Sequence, residues 1–118
     1  MVSVVYAPNE VEWDSRFTLF LAGSIDNGDA EEWQDKVIHL LDDKRIKILN
    51  PRRKDWDKSW QQSIHDKRFK EQVSWELSGL SKANHVLFYF AENSLSPISL
   101  LELGLCAEKG NITVVCPP

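Results

Sequence analysis

A chain of 118 residues with a formal charge of −4 fits one domain spanning residues 1–118. The acidic balance argues against nucleic-acid polymers and anionic membranes as main partners, while 42% hydrophobic residues and five Trp are enough for a core. No stretch reaches the length of a membrane span and no basic-then-apolar leader opens the chain, so the expected compartment is the cytoplasm. Cys106 and Cys116 lack metal-ligand spacing and are read as reduced, buried thiols.

In chain order, Thr18-Leu19-Phe20-Leu21-Ala22 is a short apolar run stopped by Gly23, the pattern of a buried strand. Asp29-Ala30-Glu31-Glu32 has capping-box spacing, and Trp33, Val37, Leu40 and Leu41 follow as the stripe of an amphipathic helix. Residues 46–49 form a second strand, ended by Asn50-Pro51. Residues 51–66 are polar and carry two tryptophans, a long connection expected to act as a flap over a pocket. A second helix begins near Arg68, with Phe69, Val73, Leu77 and Leu80 on one stripe. The run HVLFYF at 85–90 is the strongest strand. Ser96-Pro97 opens a third helix that runs to about Lys109, Gly110-Asn111 ends it, and 112–115 form the last strand.

Alternating strands and helices, with strands too apolar to be half-exposed, predict an α/β fold: a doubly wound parallel sheet with helices on both faces. Such sheets take ligands beyond the carboxyl ends of their strands, where the turns after 18–22, 46–49 and 85–90 gather.

Those turns and the helices behind them hold the residues able to do chemistry. Glu102 sits among Leu100, Leu101, Leu103 and Leu105. A carboxylate there is either solvent-facing or partnered, because burying it alone is costly. Glu76, next to Trp75, poses the same choice. Two carboxylates meeting in one cleft about 5 Å apart would suit retaining glycoside chemistry, one attacking and one handling protons. Gly23 allows close backbone approach, Ser24 offers a hydroxyl, and the turn continues with Ile25. Arg52 and Arg53 could fork onto a phosphate or carboxylate, or equally cap a helix C-terminus or pair with Asp55 and Asp57.

Taken together, Leu19-Phe20-Leu21-Ala22-Gly23-Ser24-Ile25, Asn50-Pro51-Arg52-Arg53, the segment 72–76 and the segment 96–104 resemble the nucleoside 2-deoxyribosyltransferases and the related deoxynucleoside 5′-monophosphate N-glycosidases. The resemblance implies a flavodoxin-like sheet of strand order 2-1-3-4 for the four strands above, with the site at its carboxyl edge. It implies Glu102 as the nucleophile on C1′ of a deoxyribose and Glu76 as the assisting acid. Gly23, Ser24, Ile25, Asn50, Arg52, Arg53 and Ser96 would bind substrate, with Ser24 and Ser96 at positions that hold the sugar-phosphate end in the hydrolase branch. It implies neither metal nor organic cofactor, and as partners a small nucleoside or nucleotide and further copies of the chain in a homo-oligomer. The outcome would be deoxyribosyl transfer to a base; hydrolysis of a 5′-monophosphate and non-catalytic nucleotide binding are the alternatives. Phe20 stands where the family often has Tyr, Ser96 where the transferases have Asp, and Glu76 where the hydrolases have Asp. The chain also stops at Cys116-Pro117-Pro118, where many relatives continue, so the site is expected either to be open at that end or to be completed by a neighbouring subunit. A helix N-terminus and Ser96 are expected to keep Glu102 ionised at pH 7.

Overall fold

The computed structural model describes residues 2–23, 33–52, 66–91 and 97–116. The strands are β1 (Ser3–Tyr6), β2 (Phe17–Gly23), β3 (Ile46–Asn50), β4 (His85–Tyr89) and β5 (Ile112–Val115). The helices are α1 (Trp33–Leu40), α2 (Lys67–Lys82) and α3 (Pro97–Cys106), the last continued by a 3₁₀ turn at Ala107–Lys109. Gly110, left-handed at φ 73°, closes that turn.

Every pairing in the sheet is parallel, and its order is β1-β3-β2-β4-β5. The four strands read from the sequence therefore stand in the expected order 2-1-3-4, in an α/β sheet consistent with a flavodoxin-like fold. The sequence reading had no counterpart for β1, which extends the sheet beyond β3, with Val4 opposite Ile48 and Val5 opposite Leu49.

The alternation of side chains along β2 divides the core in two. Phe20 and Ala22 join Leu49, Val86 and Phe88 under Leu80 of α2 and Cys106 of α3. Leu19 and Leu21 join Ile48 under Trp33 of α1, with Val37, Ile38 and Leu41 packed alongside. Helices thus cover both faces. Phe20, Leu21, Ile48, Leu49, Val86 and Phe88 are wholly buried, each contributing on the order of 1.5–3 kcal/mol.

Four expectations need correction. Leu40 lies outside the buried stripe of α1, being 82% exposed, and Ile38 takes its place. On α2 the inward face is Gln72, Trp75, Gly79 and Leu80, while Val73 and Leu77 face out. Close packing decides this register: a Cβ on Gly79 would come within 2.7 Å of the Phe20 ring, so only glycine lets α2 lie so near β2. On the outer strand β5, Thr113, Val114 and Val115 are exposed rather than buried. Cys116 is exposed, and only Cys106 is a buried thiol; both are free. The capping box at 29–32 lies outside the described residues.

A buried cation was also not foreseen. Lys47, on β3, is 2% exposed. Its ammonium donates to the Glu12 carbonyl and, at 3.1 Å, to the Asp14 carboxylate, which also takes Arg16 at 2.8 Å. These bonds fasten the segment between β1 and β2 to the sheet.

Candidate functional site

The carboxyl ends of β2, β3 and β4 converge on one edge, and the chain must turn there into the helices. β2 ends at Gly23 with φ 142°, a conformation suited to glycine. The strand runs so close to β4 that a Cβ at Gly23 would lie 2.0 Å from the Tyr89 carbonyl oxygen. The Gly23 carbonyl accepts a 2.8 Å hydrogen bond from Ser99 Oγ, buried in the first turns of α3. Ser99 therefore ties α3 to the end of β2, and Glu102 follows three residues later on the same helical face.

At the end of β3, the Asn50 side chain is buried and its Oδ1 accepts from the Arg52 backbone N–H at 3.0 Å, a local turn. Arg52 Nη1 donates to Gln34 Oε1 at 3.3 Å, across to the start of α1. The next carbonyl, that of Pro51, accepts from Gln72 Nε2 at 2.8 Å, and the same nitrogen donates to Glu76 Oε2 at 3.0 Å. Gln72 does for α2 and β3 what Ser99 does for α3 and β2.

The two helices bring Glu76 and Glu102 close enough for each carboxyl to perturb the ionisation of the other. Glu102 is 6% exposed and Glu76 half-buried. Burial raises the pKa of both carboxyls, and the charge of Glu76 adds to the rise at Glu102, which is pushed up to about 9. Hydrogen bonds from Glu102 and Gln72 hold Glu76 back toward its ionised form. At neutral pH Glu102 thus keeps its proton, beside a Glu76 carboxyl that burial pushes up and these hydrogen bonds pull back down. The expectation that Glu102 stays ionised at pH 7 is corrected: burial first, and the like charge of Glu76 after it, outweigh the favourable helix end.

Of the residues singled out from the sequence, Gly23, Asn50, Arg52, Glu76 and Glu102 sit at this edge, while Ser24, Ile25, Arg53 and Ser96 lie outside the described residues, as does most of the expected flap. Phe20, in the place of the family's Tyr, is wholly buried with its ring centroid 5.9 Å from that of Trp75. Among the described residues no group of three or more His, Cys, Asp or Glu could hold a metal ion, and no helix is long and apolar enough to cross a membrane. A wide depression of about 720 Å³ opens at the opposite, amino edge, between Ser15–Phe17 and Asp43–Ile46. Its arginines are committed to neighbouring acids, Arg16 to Asp14 and Arg45 to Asp43.

The family model for nucleoside 2-deoxyribosyltransferase-like proteins matches residues 16–118, from the start of β2 onward. The chain belongs to this family. No curated protein matches it. Among the described residues, the matched span contains α1, α2, α3 and the strands β2 to β5, and β1 precedes it. Glu76 and Glu102 both lie within the matched span. Sequence reasoning missed Gln72 and Ser99 as residues in their own right. A polar side chain on an inward helical face was the available signal at both positions, because such a group must find a partner.

Proposed function

We propose that the protein cleaves the N-glycosidic bond of 2′-deoxynucleosides or their 5′-monophosphates, with Glu102 as nucleophile and Glu76 as proton relay. The observation that carries the reading is the coupled Glu76–Glu102 pair at the carboxyl edge, with Glu102 buried and raised to about 9; in this reading the pair shares one proton at neutral pH. A close pair of carboxyls suits a covalent, retaining course better than an inverting one, which needs its two carboxyls far enough apart to admit a water. As the bond between C1′ and the base lengthens, the base nitrogen gains basicity. The single proton of the pair moves from Glu102 to Glu76 and from Glu76 on to that nitrogen. The Glu102 carboxylate so formed closes on C1′ to give a glycosyl ester. One proton has moved to the leaving base, Glu76 ends ionised as it began, and a second base or water releases the sugar.

Transfer to a base is the outcome the family supports, and hydrolysis is the other. Gly23, Ser24, Ile25, Asn50, Arg52, Arg53 and Ser96 are the residues proposed to surround the sugar and any phosphate. Incubating the protein with a panel of deoxynucleosides and monophosphates, with and without a free base, separates the outcomes. A new nucleoside means transfer, free sugar or sugar phosphate means hydrolysis, and no turnover leaves a nucleotide-binding module. Glu102→Gln should lower kcat by several orders of magnitude while substrate still binds, and a slow analogue should leave a glycosyl adduct on Glu102 by mass spectrometry. Glu76→Gln should cost about 10²–10⁴-fold. Turnover at the parent rate in Glu102→Gln would remove the nucleophile assignment.

The same reading places the protein in the cytoplasm, which its free thiols suit, and makes it a homo-oligomer. Supporting the latter, α3 shows Ile98, Leu100, Leu101 and Leu105 to solvent, each more than half exposed. No described atom would come within 4 Å of a Cβ at Gly104, so this glycine answers to no packing need among the described residues. A second copy laid along α3 would cover the leucines and use the close approach that Gly104 permits.

A further inference from the structure

Gln72 is buried, one turn before Glu76 on α2. Both hydrogens of its Nε2 are used, one on the Pro51 carbonyl at 2.8 Å and one on Glu76 Oε2 at 3.0 Å. Its Oε1 is buried without a partner, an arrangement that carries a free-energy cost. The opposite orientation of the amide is worse, because it would turn Oε1 toward a backbone carbonyl that can only accept. The Pro51 carbonyl does not titrate and belongs to the main chain. It therefore locks the amide so that Glu76 always meets an N–H and never an oxygen. A carboxyl facing a fixed donor favours its ionised form, whereas Glu102 has the Glu76 carboxyl as its neighbour.

We propose that Gln72 is a positioning residue that assigns the proton of the acid pair to Glu102, by presenting Glu76 with a donor held in place by the Pro51 carbonyl. The kinetic consequences rest on the glycosidic-bond reading above; the placement of the proton does not. The titratable groups whose charges reach the pair from the described elements are few. Glu76 on α2 faces Glu102 on α3, and Cys106, one turn beyond Glu102, senses both Glu102 and Lys109. None of these gives Glu76 a fixed donor in the way Gln72 does. With Gln72 in place, Glu76 relays a proton to the leaving base and returns to its carboxylate form. Without it, Glu76 holds the proton more tightly, and the pair takes up a second, inactivating proton at higher pH.

The test is Gln72→Met, similar in length and unable to donate. In the pH profile of kcat/KM, the acid limb should move up by about one pH unit, the scale of one hydrogen bond to a charged group. At neutral pH kcat should fall and KM change little. Carboxyl ¹³C NMR titration of both proteins gives a readout independent of turnover: in the parent Glu76 ionises before Glu102, and in the variant the Glu76 step rises. A folded variant with an unmoved acid limb and an unmoved Glu76 step overturns the proposal. If the variant does not fold, the parent titration decides, Glu76 ionising first in support and Glu102 ionising first against. A parent that turns over no deoxynucleoside sinks the enzymatic reading, while the titration still judges the role of Gln72.

Discussion

Replacing Glu102 by Gln should stabilise the protein at alkaline pH even as it abolishes turnover. Burial and the neighbouring Glu76 raise the Glu102 carboxyl from 4.5 to about 9. Between those two values the folded chain holds a proton that the unfolded chain has released. Stability therefore falls as pH rises through the window, by up to ~1.4 kcal/mol per pH unit, and is fully retained only below the unfolded pKa. From pH 5.5 to 8.5 the loss comes to about 4 kcal/mol, a sizeable part of the ~6–18 kcal/mol expected for a domain of this length. Glutamine has the same shape, carries no such proton, and can still donate to the Glu76 carboxylate. Urea unfolding of both proteins at pH 5.5, 6.5, 7.5 and 8.5 measures the effect. The difference between variant and parent should shift toward the variant by roughly 1 kcal/mol or more per pH unit. Parallel stability curves would mean that Glu102 ionises freely in the folded protein, and the shared proton would then have no basis.

Gly23→Ala should cost ~3 kcal/mol or more, because the new Cβ meets the Tyr89 carbonyl at 2.0 Å and φ is 142°; a thermal melt close to that of the parent would count against the close approach of β2 and β4. Ser99→Ala leaves the Gly23 carbonyl without its donor and should cost ~1–3 kcal/mol by chemical denaturation. Leu101→Glu puts a charge on the exposed face of α3 and should convert an oligomer to monomers by light scattering; a parent already monomeric at high concentration refutes the oligomer.

How much was legible in the sequence depended on the kind of signal. The runs at 18–22, 46–49, 85–90 and 112–115 are apolar and bounded by turn residues, so the strands could be read within a residue or two and the parallel sheet followed. Ser3–Tyr6 is a four-residue strand whose place is set by pairing with β3, a tertiary fact with little local pattern. The buried face of α2 was misread because an apolar count scores Val73 and Leu77 as interior. The interior is in fact built from a glycine that admits the Phe20 ring and a glutamine that reaches a carbonyl. Lys47 was invisible for the same reason, since a buried ammonium depends on acceptors brought in from residues 12 and 14. Glu76 and Glu102 could be named singly, each as one of two readings. Their contact could not, because it depends on how α2 and α3 are set against the sheet.

That setting has a specific physical source. Each acid rides on a helix bonded by a buried polar side chain to the end of a different strand: Ser99 of α3 to the Gly23 carbonyl of β2, and Gln72 of α2 to the Pro51 carbonyl just past β3. β2 and β3 are neighbours in parallel register, Leu19 opposite Ile48 and Phe20 opposite Leu49. The separation of the two carboxyls is therefore inherited from the hydrogen-bond ladder of the sheet, the stiffest part of the molecule, through one side-chain bond on each side. Sliding β2 against β3 by a residue would move the anchors by about 3.3 Å and break the contact between the acids. The same slip would turn Phe20 and Leu19 to the wrong faces of the core. The hydrophobic pattern that selects the register of the sheet thus also selects the geometry of the acid pair.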